Sequence, residues 1–240
     1  MVIMSFIFSS CSSNESGKFK EIEYGTIEAD WPVWDNVNDL VESENTDQVL
    51  IGKIVGISFQ VIDKKTGLPP AKDAKMNYDI EYGEDVEPWR VFEIITLYDI
   101  DVISVYKGEK VNFTQIRMMG GIKDIHIEEQ LAVIKEYSLE YIAVLETNVE
   151  LKTDEIYLFV LRQFDNTAPT PRNLYQSIYN IHNPFKKTAP DGYPDISAKD
   201  IISVFGKDKW DDFWIQWQKD NPNWETWLDK TEVEKELQKN

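Results

Sequence analysis

Residues 48–62 read Gln-Val-Leu-Ile-Gly-Lys-Ile-Val-Gly-Ile-Ser-Phe-Gln-Val-Ile, a long run rich in β-branched residues. Such a run packs well on a pleated surface, and its alternation sets Leu50, Gly52, Ile54 and Gly56 on one side. It therefore predicts a strand, bent where glycine permits. A second long strand is predicted from Trp89 to Tyr106, with Ile94, Thr96, Tyr98, Ile100 and Val102 on one face. The turn Lys107-Gly108-Glu109 leads into a third, Val111 to Met119, ending at Gly120-Gly121. Tyr141–Leu145 reads as strand, and Ile125–Val133 fits helix or strand. Ile156-Tyr157-Leu158-Phe159-Val160-Leu161 is almost continuously apolar, the pattern of a strand buried on both faces. After the breaker Pro169-Thr170-Pro171, Asn173–His182 reads as a final strand.

Polar segments punctuate this β-rich region. Asp35 or Asn36 is placed to cap a short helix carrying Val37, Leu40 and Val41 on one face. Asp63–Glu87 is a polar insertion around the stiff turn Gly67-Leu68-Pro69-Pro70, and is the expected ligand-facing loop.

The C-terminal quarter changes period from two to 3.6. Ser197 with Asp200 forms a capping box that opens a helix with Ile201, Ile202 and Phe205 on its apolar side, and Gly206 stops it. Asp208 is expected to cap a second helix, where Trp210, Phe213, Trp214 and Trp217 fall on one stripe. Asn221-Pro222-Asn223 ends that helix, and Trp224, Trp227 and Leu228 begin a third. An aromatic stripe of this spacing first of all buries itself, each ring removing about 150–250 Å² from water. The alternative is a binding or docking surface formed by Trp210, Trp214, Trp217, Trp224 and Trp227.

Composition narrows the partners. A net charge of −18, spread along the chain, argues against nucleic acid and anionic lipid, which need clustered Lys and Arg. One cysteine, Cys11, leaves no possibility of an intramolecular disulfide, so the core alone must stabilise the fold. Cys11 follows the apolar run Val2-Ile3-Met4-Ser5-Phe6-Ile7-Phe8 and the small pair Ser9-Ser10, and precedes the polar stretch Ser12–Lys18. This arrangement resembles the export signal of bacterial lipoproteins, with Phe8 where the family usually has Leu, Val or Ile. No basic residue precedes the apolar run, so translation is expected to start upstream of Met1. The resemblance implies cleavage before Cys11, attachment of diacylglycerol and palmitate, and an extracytoplasmic location on a cell membrane. The run itself is too short to span a bilayer, which takes about 20 apolar residues.

No catalytic constellation stands out, and no cofactor is expected. His126 and His182 lie outside metal-binding spacings, and there is no Gly-x-Ser-x-Gly. The carboxylate pairs Glu128-Glu129 and Asp211-Asp212 are ordinary in so acidic a chain, and the acidic loop Glu81, Glu84, Asp85 and Glu87 reads as solvated. Gly120-Gly121 lacks the Lys-Ser or Lys-Thr of a phosphate loop and reads as a backbone bend.

The order of elements adds a second resemblance. A short helix, then Gln48–Ile54, a long strand closing on Val105-Tyr106-Lys107-Gly108, a strand ending at Gly120-Gly121, then Tyr157–Leu161 is similar to the netrin-like, tissue-inhibitor-of-metalloproteinase type of OB-fold barrel. The resemblance implies an antiparallel barrel over residues 36–185. The family's disulfides are absent, and acylation of Cys11 would block its zinc-chelating inhibitory mechanism.

The expected architecture is therefore α+β, mainly β: residues 1–10 signal peptide, 11–35 lipid-anchored tether, 36–185 OB-like barrel, 196–240 Trp-rich helical appendage. The expected role is a ligand- or protein-binding module, not an enzyme, with an envelope protein or glycan as possible partner. Two other readings stay open: a structural subunit docking through the Trp helices, and an envelope hydrolase with dispersed carboxylates.

Overall fold

The computed structural model describes residues 23–27, 31–70, 78–79, 83–146, 151–164, 166–182 and 193–226. Cys11, the apolar run expected to be a signal peptide and the first residues of the expected tether lie outside them, as does Trp227. In chain order the elements are β1 (Tyr24–Ile27), α1 (Val37–Glu42), β2 (Gln48–Asp63), the two-residue strands β3 (Tyr78–Asp79) and β4 (Glu84–Asp85), and the helical turn α2 (Pro88–Val91). There follow β5 (Phe92–Lys107), β6 (Phe113–Met119), α3 (Ile127–Glu136), β7 (Ile142–Leu145), β8 (Ile156–Arg162), β9 (Thr170–Pro171) and β10 (Ile178–Asn180). The chain then turns helical in α4 (Ala198–Val204) and α5 (Lys207–Asp220), with a 3₁₀ turn at Trp224–Thr226.

The fold is mainly β with C-terminal helices. The main sheet runs in the order β10-β8-β2-β5-β6, and β9 pairs with β8. The adjacent pairs β10–β8, β8–β2, β2–β5 and β5–β6 are all antiparallel. The β2–β5 register shifts after Val49, after Ile51 and between Ile54 and Gly56, so the bends fall around the two glycines predicted to permit them. The sheet's far edges approach at one point: the Arg117 N–H donates to the Pro169 carbonyl at 2.9 Å, next to the β9–β8 pairing.

Both faces of the sheet are covered. Val49, Ile51, Leu158 and Val160 pack beneath α1, α4 and α5, while Leu50, Ile54, Tyr157, Phe159 and Leu161 face a second core with Tyr98 and Ile116. The apolar run of β8 is thus divided residue by residue between two cores, which explains its lack of polar alternation. A third cluster joins Val61, Phe92 and Ile94 to α3 and β7. The helices share a core with the sheet and are part of it, not an appendage.

Several local expectations need correction. Ile125–Val133 resolves mostly as helix. Its buried Gln130 explains why: the side chain accepts from Ile122 N at 3.0 Å and donates to the Ile122 carbonyl at 2.8 Å, tying α3 to the Gly120-Gly121 bend. Gly120 there has φ +77, open to glycine without strain, and the bend carries no helix start. Asn173–His182 is not one strand. The buried Asn173 carboxamide accepts from Tyr175 N at 2.6 Å and Gln176 N at 3.2 Å, an Asx turn that delays β10 to Ile178. α5 starts at Lys207 behind Gly206, so Asp208 lies in its first turn and caps nothing, whereas the Ser197–Asp200 box forms as expected. The tether is also shorter than expected. Tyr24–Ile27 pairs in parallel with Ile142–Leu145, and Trp34 is buried.

Candidate functional site

The tryptophan stripe is the first place to look, and most of it faces inward. Trp210 and Trp217 are each 4% exposed, which corrects their reading as a docking surface. Trp214 stacks between them, with ring centroids 5.4 Å from Trp210 and 4.9 Å from Trp217, and Trp224 meets Trp214 edge-on at 5.5 Å. Trp214 and Trp224 are half-buried. The helix places its rings in one core with Val49, Leu158 and Val160.

A different site assembles where the edges of the sheet meet. Arg117 alternates in β6 with buried Ile116 and Met118, so its side chain leaves on the opposite face, alongside Glu93 and Ile95 of β5. Arg162 ends β8. The segment after it folds back, with Gln163 N donating to Asp47 Oδ2 at 2.8 Å, so that Thr170 pairs with Arg162 and Arg172 N reaches the Val160 carbonyl at 3.1 Å. The result is a seam pocket of ≈ 410 Å³ whose wall includes Arg117, Arg162, Arg172, Glu93, Trp31 and Phe164. Three of the chain's four arginines meet here.

Each guanidinium is held by an aromatic ring or a carbonyl. Arg162 lies 4.4 Å and Arg117 5.9 Å from the centre of the Phe164 ring, and Arg172 lies 5.0 Å from that of Trp34. Arg117 Nη1 donates to the Gly67 carbonyl at 3.0 Å. Gly67 adopts φ +69, and a Cβ there would stand 3.2 Å from Nη1, so glycine both makes the turn and leaves room for the fork. Asp63 builds that turn by accepting from Lys65 N and Thr66 N. The polar insertion thus reaches the site through its first turn, where Lys64 Nζ also donates to the Trp89 carbonyl at 2.8 Å.

The backbone that follows Trp31 is held by a separate buried network. Asn173 Nδ2 donates to the Pro32 carbonyl at 2.7 Å, and Gln176 brackets Trp34 by accepting from its N–H at 3.1 Å and donating to its carbonyl at 2.9 Å.

Electrostatically the pocket is the reverse of the chain around it. None of the three arginines forms an ion pair among the described residues. Burial and then the neighbouring Arg162 pull Arg172 below the ordinary arginine value, which Asp47 opposes, and burial does the same to Arg117, which Glu93 opposes. Glu93 is pushed above the ordinary carboxylate value by burial, against the pull of Lys64 and Arg117. Three polar atoms are buried here without a partner among the described residues: Trp31 Nε1, Arg172 Nε and one Glu93 carboxylate oxygen.

Elsewhere the chemistry is plainer. A larger groove of ≈ 960 Å³ runs between α5 and the end of β5, past Tyr106, Phe213 and Asp212. His126 pairs with Glu129 at 3.3 Å, and His182 meets Trp217 edge-on at 5.7 Å. Glu93 is the one carboxylate among the described residues that line the seam pocket. No described helix is long and apolar enough to cross a membrane.

Sequence reasoning passed over this pocket entirely. One signal was present: so few arginines, placed beside or after strongly apolar strand residues, at Ile116-Arg117-Met118, Leu161-Arg162 and Pro171-Arg172. No protein-family model matches the chain, and no curated protein sequence matches it.

Proposed function

We propose that the protein is a membrane-tethered, extracytoplasmic ligand-binding module: Cys11 carries the lipid, an OB-like barrel is the scaffold, and the seam pocket receives a small molecule. The observation that carries the reading is the convergence of Arg117, Arg162 and Arg172 on this one pocket, where none of them forms an ion pair among the described residues. The volume and mixed aromatic and polar wall are those of a small-molecule site. The hydrogen bond between β6 and Pro169, beside the β8–β9 pairing, supports a barrel by drawing the sheet's edges together. The apolar run and small residues before Cys11 support the anchor.

A small-molecule fragment screen on the full chain, read by saturable change in tryptophan fluorescence, tests the pocket. Binders are expected, and Thr170→Trp, which fills the pocket wall, is expected to abolish their binding while leaving the melt cooperative. Binders indifferent to that substitution would place the site elsewhere. Palmitate labelling in a bacterial host tests the anchor, with incorporation expected for the wild type and none for Cys11→Ala.

A further inference from the structure

Resting on the reading of the seam pocket as a ligand site, we infer that its ligand is a small organic anion: a carboxylate or phosphate monoester carried on an apolar body. In a chain of net charge −18, three of four arginines converge on one cleft. Guanidiniums gathered this way repel one another, and without carboxylate partners their stable complement is an external anion. Among the described residues the pocket wall holds one carboxylate, Glu93, against four cationic side chains, Arg117, Arg162, Arg172 and Lys64, with Asp47 also attracting Arg172 from outside the lining.

The donor geometry is ready for an oxyanion. Phe164 and Trp34 lie within cation–π reach of Arg162 and Arg172, and the carbonyl of Gly67 engages one nitrogen of Arg117, leaving further N–H groups unengaged. The rest of the wall is apolar, with Ile62, Ile95, Met118 and Pro171, which calls for an organic body attached to the anion. The acidic surface beyond the pocket would repel a polyanion, so a small ligand fits where nucleic acid does not.

The test is equilibrium binding to the full chain at fixed ionic strength, with phenyl phosphate, benzoate, benzyl alcohol and inorganic phosphate as probes. Phenyl phosphate or benzoate is expected to bind at least about tenfold tighter than benzyl alcohol and inorganic phosphate, and to weaken as salt is raised. Arg162→Gln and Arg172→Gln are each expected to weaken that binding about tenfold or more. Urea melts identify a variant that has lost its fold, and the other then carries the test.

Equal binding of benzyl alcohol, abolished by Thr170→Trp, would overturn the anion while keeping the pocket as a ligand site. Equal binding of inorganic phosphate would overturn the organic body. Organic-anion affinity unchanged in a folded Arg162→Gln or Arg172→Gln variant would also overturn the inference. If neither organic anion binds while fragments still do, the inference fails alone, and if nothing binds saturably, the pocket reading fails with it.

Discussion

The face beneath α5 and the seam between β6 and β9 are both lined with large side chains, yet they are put together in opposite ways. Beneath α5, Trp210 and Trp217 are driven inward against aliphatic strand residues, and shape and apolar area decide the arrangement. At the seam, aromatic rings are used as supports for guanidiniums, and charged groups are left half-buried without partners. The first region stabilises. The second gathers like charges without ion pairs, a local rule broken in the way that the proposed binding role would explain.

The comparison breaks or holds on measured stability. Trp210→Ala should show the largest effect, a loss of about 3–5 kcal/mol in urea unfolding, because it removes a buried ring from a packed face. A loss under about 1 kcal/mol would mean that the ring is at the surface and the contrast is wrong. Asn173→Ala should cost about 1–3 kcal/mol, since it strips buried hydrogen bonds from the turn that carries Pro32 and Arg172. It should also weaken ligand binding at the seam, which Trp210→Ala in its folded fraction should not. Arg172→Met should leave stability within about 1 kcal/mol of wild type: the lost cation–π contact with Trp34 is offset by removing an unpaired, repelled charge.

The smallest effects are pH-dependent and opposite in sign at the two regions. Glu93 holds protons more tightly folded than unfolded, so its contribution is fully present below the ordinary carboxylate value of 4.5 and is lost as pH rises through its higher folded value. Glu93→Gln should therefore gain stability relative to wild type between pH 4 and pH 7. His182 is shifted down, burial outweighing the pull of Glu155, so its contribution is present above the ordinary histidine value of 6.5 and is lost as pH falls through the lower folded value. His182→Gln should flatten that acid-side loss. Urea melts at pH 4, 5.5 and 7 check both signs, and matching slopes in the two variants would erase the distinction.

Much of the fold was legible because its signals are local. The alternation in Gln48–Ile62, the unbroken apolar run before Arg162 and the capping box at Ser197 each announce their element within a few residues. A misreading arose where a short polar side chain replaced backbone pairing, as at Asn173, and the period of Ile125–Val133 left helix and strand open until the structure showed the helix. The candidate site was almost wholly illegible, because Arg117 lies far along the chain from Arg162 and Arg172 and each alone resembles an ordinary charge in or beside a strand.

By itself, then, the sequence determined a β-rich chain turning helical at its C-terminus, without disulfides and acidic overall, since period, charge and cysteine count need no partner to be read. Tertiary structure alone decided which tryptophans are hidden, because burial depends on the surface that meets them. It alone decided that Arg117, Arg162 and Arg172 share a pocket, because only the approach of β6 to Pro169 brings those three positions together.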